Sequence, residues 1–566
     1  MQRHRSRRAA LLEKAVKGSD ELEGTTKEYE IFNLLFWLAK NAPDCGLTKK
    51  QFADFSANHP NFGSREHPNL DWWIGGVGWV GPESPLTLED IIAASPERLI
   101  TELANAKVDD FSATNREGLL NEISKAVTGN FEWSFQRAEG LNEKKLWDAD
   151  LWRALVTGWK NVDLEEAQWL QVLNILQKSQ PILGSLTYEV SELLEKGTNK
   201  TTHRIPMAHL SVSVALSEML WDVVVASSEE KPRDHAEDWL QLAINHPAGA
   251  LLTFRLRTLS LLREAAGEKW TEIPSEEKSF LGSVLSGTSY AASIGRVLIA
   301  SQLYFLFNLD QAWTVSNVIP LFNLADNELR TIQAWHGFLA WGRWTEGLLP
   351  HLLPCFEQWF PYLHVKLGKE QRESFCHFLA GIACHASTDP IQSGWLKRFL
   401  QEVTPEERTI WSSSMSRTLK GMKEPLPEHS WRSWISTYWQ NRIEGVPMPL
   451  EVGEITEMVE WTLAFEVSFP EVAEKIYKSP IPKAKHEFFY NELGESGVLK
   501  LHPSSSATLV LYLLKIDFTP IYWFDPLVKI VQDLRPVEDA KQVLRQICGE
   551  LARLGYPNAG SLRDTI

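Results

Sequence analysis

Large apolar residues recur along this chain at intervals of three and four, and strict alternation is scarce. That period places them on one face of a helix rather than one face of a strand. The densest instance is residues 431–461, WRSWISTYWQNRIEGVPMPLEVGEITEMVEW. Trp431, Trp434, Ile435, Tyr438 and Arg442 share one helix face. Gly445 follows at the place a helix C-terminus gives to glycine. Pro447 and Pro449 then hold the connector extended. A second helix buries Ile455, Met458, Val459 and Trp461. The product is a helical hairpin with an aromatic seam. The same spacing elsewhere predicts an all-α fold: an elongated, solenoid-like array of helical hairpins, rich in Trp.

Helix starts support this reading. Thr25 with Glu28, Asp163 with Glu166, and Thr404 with Pro405 and Glu407 are capping-box patterns, and Ser95–Pro96 pairs an N-cap with a first-turn proline. Trp152 and Trp159 lie seven apart on one face. Trp169, Val172, Leu173 and Leu176 form another stripe. Weak connectors divide the chain into an N-terminal helical segment with a Gly/Trp-rich loop (1–85), a helical repeat region (86–330) and a C-terminal helical domain (331–566).

Tryptophan is the compositional outlier, with 24 in 566 residues. A buried indole removes much apolar area from water and needs a partner for its N–H. Here the indoles sit among leucines, which predicts anchors between helices rather than a base-stacking surface. Acidic residues outnumber basic ones by 73 to 57, a net charge of -16. That argues against general nucleic-acid binding, which needs a basic surface. The basic start, with Arg3, Arg5, Arg7 and Arg8, reads as a solvated helix face. Five scattered cysteines, Cys45, Cys355, Cys376, Cys384 and Cys548, do not suggest a disulfide framework. With no leader pattern and no evident run of about 18 apolar residues, the expected place is the cytoplasm, off the membrane.

Motifs that might carry chemistry are weak. Gly76, Gly78 and Gly81 match a dinucleotide-type glycine pattern, but Pro82 and Pro85 follow where a helix N-terminus should meet the phosphate. Cys376, His377, Cys384 and His385 are metal-ligand types. On one helix the two thiols would stand ~12 Å apart along the axis, whereas sulfurs on one zinc lie roughly 4 Å apart. Glu428, His429, Glu444 and Glu454 collect acid–base groups near the central hairpin. Arg343, in WGRW, and Arg442, in YWQNR, are expected to stack on indoles and bond helix-end carbonyls, the alternative being a recognition surface. Asn199-Lys200-Thr201 matches a glycosylation acceptor without a secretory context. Nucleophile elbow, Walker and zinc-protease motifs are missing. No catalytic, cofactor-binding or metal residue is assigned, and no enzyme activity is expected.

Three stretches carry a family resemblance: AWHGFLAWGRW (334–344), RESFCHFLAGIA (372–383), and 431–461 together with PEVAEKIYKSPIP (470–482). Together they resemble the C-terminal domain of unknown function found in long prokaryotic antiphage-defence proteins whose N-terminal part is sirtuin-like. Trp439, Arg442, Gly445, Pro447 and Pro449 stand at matching places. The similarity is strong over roughly 330–566 and looser over 86–330. In that family the sirtuin-like part is thought to hydrolyse NAD, and the helical part to sense or restrain. This chain shows no sirtuin-like pattern, so no residue inherits NAD hydrolysis. The resemblance implies a scaffold or sensor that binds a protein partner: an effector subunit such as a sirtuin-like NADase, or a phage protein. A second expectation is a DNA-associated accessory subunit of a Zorya-like machine, similar in length and in carrying a Glu/His pair, Glu428 and His429. A third is an unrecognised hydrolase.

Overall fold

The computed structural model describes residues 25–64, 83–106, 115–199, 203–227, 238–324, 327–483, 487–516 and 524–566. The Gly76/Gly78/Gly81 pattern, Trp72, Trp73, Trp79, the basic start, the Thr25 side chain and most of the 199–201 triplet lie outside these residues. Among the described residues every regular element is a helix, so the all-α expectation is met.

The chain divides into two compact units, residues 1–85 with 107–118 and residues 86–106 with 119–566. In the first, helices Thr25–Asn41 and Gly46–Asn58 pack together. Phe32 meets Phe52 across that pair and Phe62 just beyond the second helix.

The second unit is built on a row of helices: α1 (Ala149–Lys160), α2 (Thr187–Asn199), α3 (Pro247–Ala266), α4 (Tyr290–Ser301), α5 (Glu328–Trp341), α6 (Lys369–His385), α7 (Pro405–Gly421), α8 (Ser436–Ile443) and α9 (Val452–Met458). From α1 to α7 each packs on the next, and α7 packs on α9. Helices between them in sequence form a second layer. Leu210–Ser227 covers α2 and α3, and Ser275–Ser286 covers α4. This serial pairing is the hairpin array that the periodicity predicts. Position 330 lies inside α5, which packs along α4.

Indoles join the layers. Trp159, fully buried on α1, donates to Ser134 Oγ at 2.8 Å. Trp169 donates to the carbonyl of His203 at 3.0 Å, Trp133 to that of Ile92 at 3.0 Å, and Trp461 to that of Ser412 at 2.7 Å. Each bond crosses between elements, so one side chain supplies both apolar area and a directional staple. Trp335 sits where Phe322, Phe338, Phe356, Trp359 and Phe375 converge, with ring centroids 4.7–6.1 Å away.

One glycine sets a close approach between two helices of the row. A Cβ on Gly337 of α5 would lie 1.9 Å from the Val297 carbonyl oxygen of α4. No larger residue fits there unless the two helices separate.

The central hairpin forms with one change. Its first turn, Trp431–Ile435, is π-helical, and α8 continues to Ile443. Trp439 is buried together with Trp431, Trp434 and Tyr438. Gly445 takes φ +84. Its N–H donates to Arg442 O at 3.2 Å, and the Val446 N–H donates to Asn441 O at 2.8 Å, closing the helix end as a Schellman motif. Ile455, Met458, Val459 and Trp461 are buried as expected.

Two sequence expectations need correction. The helix expected to be capped by Asp163 and Glu166 starts two residues later. Glu165 is its N-cap, with Gln168 Oε1 accepting from the Glu165 N–H at 2.9 Å. Leu164 is fully buried and fixes that entry. Second, one stretch, Met207–Ser227, is long and apolar enough to cross a bilayer, with mean hydropathy 1.5. The sequence reading missed it because Ser211, Ser213 and Ser217 interrupt the apolar run. It packs on α2, α3 and helix Glu166–Lys178, with 39% of its apolar window buried.

The Gly337 contact yields a stability prediction. Gly337→Ala should cost about 1–3 kcal/mol, because backbone on the facing helix must move. Gly445→Ala should cost about 1 kcal/mol, from left-handed backbone alone. Urea unfolding midpoints at constant slope measure both. A neutral Gly337→Ala would contradict the close approach.

Candidate functional site

The acid–base candidates near the hairpin face four different surroundings. Glu428 is buried, and Oε1 accepts from the amides of Val467 at 2.7 Å and Ser468 at 3.0 Å. Oε2 accepts from Ser468 Oγ at 2.6 Å. It is a helix cap whose acceptors are occupied. His429, next to it in sequence, is exposed. Glu444 is exposed and accepts from Gln440 Nε2 at 2.6 Å. Glu454 is fully buried between arginines. The structure therefore does not bring these residues together.

Glu454 instead organises the hairpin. Arg442 Nη2 donates to its Oε2 at 2.7 Å, and Arg408 Nε of α7 stands 3.5 Å from the same oxygen. Arg442 also donates to the carbonyls of Met448 at 2.9 Å and Pro449 at 3.1 Å, and to Tyr438 OH at 3.1 Å. Arg408 donates to the Leu400 and Val403 carbonyls at 3.2 and 3.0 Å. The Glu451 N–H donates to Glu454 Oε2 at 3.0 Å. A buried ion pair costs least when its remaining hydrogen-bonding groups find partners. Connector carbonyls provide them for Arg442, whereas Glu454 Oε1 and Arg408 Nε are buried without a hydrogen-bond partner among the described residues. Arg442 was expected to stack on an indole. It stacks instead over Tyr438, 5.8 Å from the ring centroid.

Cys376, His377, Cys384 and His385 lie on α6, which runs unbroken past Gly381. Cys376 Sγ faces the Glu407 carbonyl at 3.6 Å, and Cys384 Sγ faces Met415 Sδ at 3.8 Å. Burial pushes the Cys384 thiol up to about 12 and raises Cys376 further, the Glu407 carboxylate adding to the latter. His377 and His385 are exposed. These four residues do not converge.

The structure adds a group that sequence spacing hides. The ligand-type atoms of His364, Glu406 and Glu407 lie within 4.8 Å of one another. Arg372 already supplies the positive charge there. Its Nη1 is 2.5 Å from Glu407 Oε1 and 3.0 Å from His364 Nδ1, and its Nη2 is 3.2 Å from Glu406 Oε1. Thr404 closes the capping box on Glu407. The group is an ion-pair cluster joining α6 to α7.

The concave feature lies elsewhere. A hollow of about 640 Å³ crosses α2, α3, α4 and the end of α5, lined in part by Tyr188, Ile244, Arg257, Gln302, Phe305 and Trp341. A second, of about 590 Å³, shares Ser301, Gln302, Phe305 and Trp341 and adds Tyr304 and Arg343. The two make one groove with Trp341 at the join. Trp341, Tyr188 and Ile244 are 49%, 46% and 52% exposed, unlike the indoles of the core. Arg257 bonds Glu195 at 3.2 Å, and Lys160 pairs with Glu192. Arg343 was expected to be structural. It is exposed and, among the described residues, makes no hydrogen bond, ion pair or ring contact. The groove offers apolar surface, amide and hydroxyl groups and one uncommitted cation, the make-up of a recognition surface.

Two predictions follow from the buried charges. Glu454→Gln leaves Arg408 and Arg442 buried without their carboxylate and should cost about 3–5 kcal/mol of unfolding free energy. Glu454→Gln combined with Arg442→Met should cost less than the sum of the single changes. Strict additivity in denaturant titrations would contradict the coupling. The second prediction concerns acid. Burial pushes the Glu407 carboxyl up, but hydrogen bonds from Thr404, Arg372 and His364 together outweigh it and hold the group below the ordinary range. A lowered folded-state value means that Glu407 stabilises fully above the ordinary glutamate range, and that this is lost as pH falls through the folded value. Glu407→Gln should therefore flatten the acid limb of the stability–pH profile. An unchanged limb would contradict the assignment.

Residues 383–550, less than a third of the chain, match the family described as a domain of unknown function, DUF4020. The match takes in α7, the central hairpin and the Arg408–Glu454–Arg442 group. No curated protein matches the chain. No solved structure matches it either.

Proposed function

We propose that this protein is a non-catalytic helical scaffold or sensor of a prokaryotic antiphage defence system, acting in the cytoplasm by binding an effector subunit or a phage protein. The observation that carries the reading is the groove across α2–α5. Its exposed Trp341 departs from a pattern in which tryptophans close the core, and such a residue on a concave helical surface suits a protein partner. Residues 383–550 match a domain of unknown function, and the defence context rests on the sequence resemblance to sirtuin-associated defence proteins alone. Glu428, on which a DNA-associated role would lean, is committed to the amides of residues 467 and 468. Loss of activity in Glu428→Ala would thus report a lost cap rather than lost DNA.

The test is affinity purification of the full chain expressed from its own locus, before and during phage infection. A stoichiometric protein partner is expected in at least one condition. Recovery of none in either would overturn the proposal.

A further inference from the structure

The groove also constrains what its partner looks like, an inference that rests on the scaffold reading. Its charges are nearly all spent internally. Glu195 is held by Arg257, and Glu192 by Lys160 and by the Tyr188 hydroxyl, whose pKa is raised by that carboxylate. Arg343 is the exception among the charged residues lining the two hollows. It lies two residues beyond Trp341, and the partly exposed rings of Tyr304 and Phe305 line the same hollow. A run of positive charge on a partner would meet nothing to pair with there. A run of negative charge would meet one cation, tempered by the carbonyls at the C-terminal end of α5. A single carboxylate beside an apolar side chain matches what is present.

The size of the groove narrows the occupant further. Each hollow is within the volume range of a small-molecule pocket, ~300–1,000 Å³, but the two adjoin and together cross four successive helices. Open grooves of this kind on helical arrays accept lengths of polypeptide. Trp341, half exposed and lining both hollows, is placed to take a ring or a large aliphatic group. Asn245 and Gln302 offer amide groups to a peptide backbone.

We propose that the α2–α5 groove binds a protein segment that packs one aromatic or large aliphatic side chain on Trp341 and pairs one neighbouring carboxylate with Arg343. Both residues are exposed, so changing them spares the core. Trp341→Ala removes the platform. Arg343→Glu reverses the charge preference.

The probe is a displayed library of random short peptides, selected on the purified full-length chain. Enriched sequences should share an aromatic or large aliphatic residue close to a single Asp or Glu. Trp341→Ala should weaken a selected peptide about tenfold or more, the loss typical of a central anchor. Arg343→Glu should weaken acidic peptides and, on reselection, enrich Lys or Arg at that place. Unchanged thermal unfolding of both variants confirms that the fold is kept. Three results would each overturn the inference: no enrichment over bare resin, enrichment without that pairing, or binding indifferent to both variants. The test is separable from that of the scaffold. A stoichiometric cellular partner that stays bound to the doubly substituted chain would overturn this groove assignment and leave the scaffold reading standing. The absence of any partner would remove the scaffold reading itself.

Discussion

A tryptophan buried between two helices fills space with its rings and, where an acceptor is in reach, adds a directional bond from its N–H, which leucine cannot. Trp133, Trp159, Trp169 and Trp461 each reach an acceptor on another element. A helix pair joined this way cannot slide by a turn without stranding a donor in the core. Close backbone approach at Gly337 locks α4 to α5. Along the row itself the fully buried Trp335 of α5 and Trp411 of α7 find no acceptor for their N–H among the described residues, so ring packing and close backbone approach hold the helices there.

The hairpin at 431–461 shows the same logic with charge in place of the indole N–H. Arg442 reads the connector through its carbonyls, and Glu454 receives both Arg442 and Arg408. Gly445 makes the turn possible. The motif that carries the family resemblance is therefore explained by packing alone. Its residues are spaced as they are because a guanidinium from α8 must reach the loop that leaves it. Nothing in that set points outward to a ligand.

Much of the fold was legible in the sequence for that reason. Helical spacing, the Ser95 and Thr404 caps, and Gly445 as a helix stop all depend on neighbours within a few residues. The π-helical turn at Trp431–Ile435 was not legible, because it departs by a single residue from a period that the sequence satisfies either way. The cap shift from Asp163 to Glu165 turned on whether Leu164 is buried, which only tertiary packing decides. The candidate site was less legible. The sequence places Arg343 and Trp341 in the same tryptophan-rich phrase as the buried indoles, and no local signal separates an indole facing the core from one facing a groove. What separates them is the end of α5, where the helix stops at Trp341 and the chain turns away. The Arg372–Glu407–His364 cluster was also hidden, since its members come from separate elements.

The central claim is that a rigid row of closely packed helices holds out a groove whose lip is free for binding. Amide hydrogen exchange on the full chain tests it directly. The account predicts the slowest exchange in α4, α5 and α7, where Trp335, Trp411 and the Gly337 contact lie, and fast exchange over residues 342–347 at the groove lip. Fast exchange throughout α4 and α5, with protection confined to the lip, would contradict it.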